Sequence, residues 1–200
     1  VTSLAERSSA QICFHLDHCE HLSYARRALD LGFSGVMFDG SALPYEKNVE
    51  YSKAASDMCA EYGAGLECEL GSMGSELAED FVRSTGLDAL ACSFGTVHGL
   101  YKGEPKLNFD VLRNIRSRVN VPLVMHGGSG VSDEDNLRAI NAGIRKINYY
   151  TYGVKYAGDA VRKMIADREQ AGSGSVVYWH DMTTVAYETL VDTFEHIVRN

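Results

Sequence analysis

Three histidines, His18, His98 and His126, each stand at the end of a short apolar run. Taken singly, a histidine in such a place is more often a hydrogen-bonded structural residue than a ligand. Taken together, imidazoles from three strand ends are how an open zinc site is built, with a fourth position left for water or substrate. No two of them have the local H-x-x-x-H spacing of a helical site, so only a fold can assemble them. Asp17, beside His18, is either a cap for the following helix or a carboxylate set next to a metal as a general acid/base. Glu67 and Glu69 are two apart on a strand and therefore share a face. With Ala64, Leu66, Cys68 and Leu70 on the other face, that acidic face is expected to be interior, where a cation is the partner that costs least. His15 reads as packing or support for Asp17, and His21 as the start of a helix.

A second set of residues suits anions. Gly127-Gly128-Ser129-Gly130 follows a strand and precedes a helix, so its N–H groups can cradle a phosphate near the helix dipole. A tight turn needs glycines too, so the motif alone is weak. Asn148 and Thr151 end the next strand, also ahead of a helix, and Gly99 with Lys102 forms a third anion-friendly loop. Lys102 is equally a solvated surface lysine. A chain with a net charge of -8 repels a phosphorylated ligand overall, so it must hold one with such local donors and a metal.

The elements that must position these groups alternate. Strands are expected at 11–16, 35–38, 65–70, 89–93, 121–125 and 145–149. Helices are expected at 22–31, 44–62, 78–85, 109–118, 133–142 and 151–170, with a helical turn at 1–9 before the first strand. A Gly/Ser loop at 172–175 precedes a last helix carrying Leu190, Phe194, Ile197 and Val198 as its apolar stripe. Strict alternation implies an α/β fold with a parallel sheet. An open doubly wound sheet would gather its site at one switch point. Here nearly every unusual polar group lies at a strand's C-terminal end, which favours a TIM (β/α)8 barrel. Such a barrel takes about 250 residues, and this chain has 200. The reading is therefore a single barrel domain over 1–200 with six of its eight strands present.

Composition limits the function classes. The chain is 45% hydrophobic and 23% charged, an ordinary globular balance, and its acidity argues against nucleic-acid or anionic-membrane surfaces. No apolar run approaches the length of a spanning helix. Five cysteines without a C-x-x-C pair signal neither a disulfide framework nor a zinc knuckle, and point to reduced thiols in the cytoplasm.

Six motifs now stand in order: His-Leu-Asp-His at 15–18, Phe-Asp-Gly-Ser at 38–41, Glu-Cys-Glu-Leu-Gly at 67–71, Gly-Thr-Val-His-Gly-Leu-Tyr at 95–101, Met-His-Gly-Gly-Ser-Gly at 125–130 and Lys-Ile-Asn-Tyr-Tyr-Thr at 146–151. Together they resemble the class II, zinc-dependent ketose-bisphosphate aldolases. The resemblance implies zinc on His18, His98 and His126, with Glu69 as an alternative ligand. It implies Asp17 as the acid/base at the hydroxyl beside the breaking carbon–carbon bond. It implies Glu76, in the loop after the third strand, as the group that moves the proton on dihydroxyacetone phosphate. Gly99, Gly127, Ser129, Asn148 and Thr151 would bind phosphate, and Lys102 lies in the loop used with a monovalent cation, Na+ or K+. The substrate implied is a phosphorylated sugar, and the assembly a homodimer or homotetramer.

The resemblance also implies two more strand–helix steps ahead of Val1 and a longer acidic loop after Glu76, so the chain is expected to be part of a longer protein. Tyr149 and Tyr150 stand where many members carry small or acidic residues. Lys146 on the sixth strand offers a Schiff-base chemistry as the runner-up. A metal-dependent phosphosugar isomerase or epimerase, and a non-catalytic barrel, are the other readings.

Overall fold

The computed structural model describes residues 2–71, 74–97, 99–100, 103, 105–171 and 176–199. After a short α1 (Thr2–Ala5) the elements alternate: β1 (His15–Cys19), α2 (Leu22–Asp30), β2 (Gly35–Phe38), α3 (Tyr45–Tyr62), β3 (Gly65–Glu69), α4 (Ser75–Thr85), β4 (Ala89–Ala91), α5 (Phe109–Arg118), β5 (Leu123–Met125), α6 (Asp133–Ala142), β6 (Ile144–Ile147), α7 (Thr151–Gln170) and α8 (Trp179–Arg199). The strands form one six-stranded parallel sheet in sequence order, with β1 and β6 at its edges.

The sheet is curled rather than flat. Five inter-strand steps of about 4.8 Å would separate β1 from β6 by roughly 24 Å in a flat sheet. Yet Asn148, at the end of β6, donates through Nδ2 to Asp17 Oδ1 of β1 at 3.2 Å. The curl makes this a partial barrel, as the spread of polar strand ends suggests, and not an open doubly wound sheet.

Two apolar layers follow. The outward faces of the strands pack against the helices in one large core that includes Val36, Phe38, Leu66, Cys68, Phe81, Leu90, Leu112, Leu123 and Ile144. The inward faces carry a small cluster of Met37, Ala91 and Val124, with Ala89 against it. β2 is buried on both faces, as a covered parallel strand should be.

Local signals set the helix ends. Ser132 caps α6 by accepting from the Asp135 amide at 3.2 Å, as its residue type suggests. Gly63 ends α3 in the left-handed region, φ 63°, and the Ala64 amide reaches back to the Cys59 carbonyl at 3.0 Å.

Boundaries differ most at β1. Pairing with β2 begins at His15 opposite Gly35, so the strand runs on through His-Leu-Asp-His instead of ending there. The polarity of that stretch hides it from a hydrophobic pattern. Gly35 admits it: a Cβ at that position would meet His15 Nδ1 at 2.6 Å. α4 begins at Ser75 and not at 78, which places Glu76 in its first turn instead of in a loop. β4 and β5 are short, and no residue of α8 is fully buried, so Val198 of the expected stripe faces solvent. The Gly/Ser loop at 172–175 lies outside the described residues.

Candidate metal and phosphate site

A bulge in β1 creates the site. His15 and Leu16 pair with Gly35 and Val36, but Cys19 pairs with Phe38, so Asp17 and His18 together oppose Met37. An extra residue re-aims side chains locally. His18 takes up a left-handed conformation there, φ 46°, which a non-glycine residue rarely adopts. Both Asp17 and His18 then belong to the same cluster as His126 from the end of β5, with donor atoms within 4.8 Å of one another.

The two imidazoles are oriented from behind. His18 Nδ1 lies 2.9 Å from Asp39 Oδ2, and Asp39 Oδ1 accepts from the Ser41 amide at 3.1 Å and the Ser41 hydroxyl at 2.6 Å. Burial alone would push the Asp39 carboxyl up; the Ser41 and His18 hydrogen bonds outweigh it and hold the group below its ordinary value. His126 Nε2 lies 2.7 Å from Glu67 Oε1. With each ring donating to its carboxylate, His18 Nε2 and His126 Nδ1 present lone pairs to each other at 2.9 Å. Two lone pairs at that distance need a proton or a cation shared between them, and a divalent cation can be held by both rings. Carboxylate–histidine pairs of this kind are what orients histidines that bind zinc.

Glu69 completes the donor set. Its side chain shares a second cluster with His18 and Asp39. Its Oε2 is buried with no hydrogen-bond partner among the described residues. Burial first, then the Asp39 charge, raises its pKa above the ordinary carboxylate value. A buried carboxylate oxygen without a donor beside two converging imidazoles fits a divalent cation with nitrogen and oxygen ligands. His98 lies outside the described residues.

Glu67 shares the interior face with Glu69, as their spacing requires, but its partners are side chains. The carboxylate is 3% exposed and receives Lys146 Nζ at 2.7 Å as well as His126. Burial would raise its pKa; the hydrogen bonds from His126 and Lys146 reverse this and leave it lowered. His15 Nε2 is 3.7 Å from the same carboxylate, and burial, with the Lys146 charge, lowers its pKa. Glu67 lies on the interior face as expected, but Lys146 and His126 take the place of the cation expected as its partner. For Lys146 the signal in the sequence is its two-residue spacing from Asn148 on the same strand face.

The anion-binding elements adjoin this cluster. Asn148 Nδ2 lies 3.3 Å from the His126 ring nitrogens and bonds Asp17. The Gly128 amide donates to the Asn148 carbonyl at 3.1 Å, and the buried Ser129 Oγ accepts from the Tyr150 amide at 2.9 Å. These bonds tie the loop after β5 to the start of α7, where Thr151 is the first residue. Gly127 needs its φ of 66°, and a Cβ there would collide with the Val97 carbonyl. Gly99 also has a positive φ, 93°, and is half-buried. Lys102 lies outside the described residues. A cavity of about 290 Å³ lined by Glu69, Ser93, Thr96, Val97 and His126 opens beside the cluster.

Glu76 is not brought to the site. It is 84% exposed in the first turn of α4, where its charge suits the helix dipole, and it pairs with Arg118 of α5 at 3.5 Å.

Comparison with known proteins gives the family. The family described as fructose-bisphosphate aldolase class-II matches residues 1–199. The chain is 44% identical over 157 residues to a sulfofructosephosphate aldolase of Alkalicoccus urumqiensis, covering 70% of this chain and 55% of that protein. It is 39% identical over 174 residues to a 6-phospho-5-dehydro-2-deoxy-D-gluconate aldolase of Shouchella clausii (strain KSM-K16), covering 80% of this chain and 59% of that protein. The chain thus spans less than two thirds of the length of these curated relatives. The crystal structure of the YdjI aldolase from Escherichia coli K12 superposes with a TM-score of 0.82 at 32% identity, over 98% of this chain and 70% of that one. The curled six-stranded sheet, the bulge that pairs Asp17 with His18, and the match along the whole chain lead to one conclusion: this chain belongs to the class-II fructose-bisphosphate aldolase family.

Proposed function

We propose that this chain carries the active site of a zinc-dependent aldolase. The reaction is reversible cleavage of a ketose 1,6-bisphosphate to dihydroxyacetone phosphate and an aldehyde phosphate. The observation that carries the reading is the convergence of His18 Nε2 and His126 Nδ1 beside Asp17 and the partnerless Glu69 oxygen. His18 and His126, with His98, would hold zinc, and Glu69 stands near enough to replace or join them. Zinc so held supplies a Lewis acid for the charge that carbon–carbon cleavage leaves on oxygen.

The chain's own residues do the rest. Asp17, held by Asn148, takes the proton from the hydroxyl next to the breaking bond and returns it in the aldol direction. Gly127, Ser129, Asn148, Thr151 and Gly99 form the phosphate cradle, with backbone N–H groups at the start of α7 as donors. Lys102, with a monovalent cation, would complete it. Lys146 is engaged with Glu67, which supports the metal reading over the Schiff-base one. The implied partner is a phosphosugar. Among the described residues, no helix is long and apolar enough to cross a membrane.

The relatives' names widen the substrate tests to sulfofructose phosphate and 6-phospho-5-dehydro-2-deoxy-D-gluconate. A coupled triose assay on the full-length protein, with each of these and with both fructose and tagatose bisphosphates, tests the reading. Triose formation that stops with chelator is expected. Isomerised sugar without triose would favour the isomerase instead, and activity that survives complete zinc removal would exclude the metal role.

A further inference from the structure

Lys146 of β6 and Asn148, the residue just past its end, are two apart and share one inward face. Asn148 holds Asp17 directly. Lys146 reaches across the interior to β3, where its ammonium lies 2.7 Å from Glu67 Oε2. The other oxygen of the same carboxylate lies 2.7 Å from His126 Nε2. Glu67 is thus a two-armed bridge: one oxygen tied to Lys146, the other to the imidazole whose Nδ1 faces His18.

We infer that Lys146 is a positioning residue that acts on the metal through Glu67 and His126, an inference that rests on the zinc reading above. A glutamate held by one partner turns about its terminal torsion, which is broad and soft. Held at both oxygens, its plane is fixed. The oxygen facing His126 then has one position, and the ring it bonds has one orientation and one tautomer. Metal-bound histidines depend on such outer partners, whose loss weakens metal affinity or activity about 10–100-fold. A lysine suits the task because it carries a compact charge with several donors on a flexible stem. It also balances a carboxylate that is 3% exposed and would otherwise lie buried without a counter-charge. His15, 3.7 Å away on β1, is too distant to replace it.

The test uses the full-length protein and reads metal binding as well as activity. Zinc affinity is measured by competition with a chromogenic chelator, and ligand geometry by the visible spectrum of the cobalt-loaded protein. Lys146→Met is expected to bind zinc about 10–100-fold more weakly and to shift the cobalt bands. Lys146→Arg, which keeps the charge and the donors, is expected to restore both to near the wild type. If Lys146→Met does not fold, Lys146→Gln, which keeps a donor on a shorter stem but no charge, is measured in its place, with a change in the same direction and a smaller loss of affinity expected. A purely structural lysine would lower the melting temperature of the metal-free protein and leave affinity and spectrum unchanged; that outcome overturns the inference while the zinc reading stands. Wild-type protein that binds no zinc overturns both.

Discussion

Asn148 and Asp17 are 131 residues apart and sit on opposite edges of the sheet, yet Asn148 Nδ2 donates to Asp17 Oδ1 at 3.2 Å. One hydrogen bond therefore reports two things. It measures the curl of the sheet, and it fixes the carboxylate proposed as acid/base next to the two imidazoles. Asp17→Ala is expected to lower turnover by at least about 100-fold, the lower bound for a lost general acid/base, while zinc content stays at the wild-type level. Asn148→Ala should cost less, since it loosens Asp17 without removing it. Coupled assays with metal analysis check both; loss of zinc in Asp17→Ala would reassign Asp17 as a ligand.

His18 Nε2 and His126 Nδ1 lie 2.9 Å apart, while the other ring nitrogens meet Asp39 and Glu67. Treatment with chelator should abolish activity, and added zinc should restore it. His18→Ala and His126→Ala should each fail to retain zinc through dialysis, because an open zinc site has only three protein ligands to lose.

Gly127 is required by its backbone. Its φ of 66° costs an L-residue roughly 1–2 kcal/mol, and a side chain would also strike the Val97 carbonyl. Gly127→Ala should destabilise the fold by about 2 kcal/mol or more, since strain and collision add. It should also weaken the binding of inorganic phosphate. Denaturant melts and phosphate titration check these effects.

Asp181 ties α8 to α7. It accepts from Arg168 at 2.6 Å and from the Tyr178 amide at 3.1 Å, and these bonds lower its carboxyl pKa from 3.8 to about 2. A carboxylate with a depressed folded pKa stabilises the fold above its unfolded value and loses that contribution as pH falls through the folded one. Arg168→Ala should therefore melt at a lower temperature than the wild type at pH 7. The gap should close as pH falls from 3.8 toward 2, followed by calorimetry.

Cys59, Cys68 and Cys92 are buried among apolar side chains, and burial pushes their thiols up to about 11, about 12 and about 12. The thiolate is the reactive form. These thiols should stay silent to a disulfide reagent at pH 8 in the native protein and react on unfolding. Rapid reaction of any of them in the native state would contradict the packing around β3 and β4.

Much of this was readable from residue order. Parallel α/β alternation follows from short apolar runs between helical periods, and the inward face of Glu67 and Glu69 follows from a two-residue repeat that every strand obeys. Ser132 and Gly63 announce helix ends by local chemistry alone. These are short-range rules, so sequence by itself determined them, and the ordered motifs determined the family. What only the tertiary structure decided depends on groups far apart in the chain. The bulge that turns Asp17 and His18 together arises from pairing with β2. The curl that brings Asn148 to Asp17 arises from the whole sheet. The partners of Glu67 lie on β5 and β6, so no local pattern could replace the expected cation with Lys146 and His126. Glu76 shows the same limit from the other side: helix α4 starts early enough to carry it away from the site, because an acid in the first turn and a pair with Arg118 both favour it there.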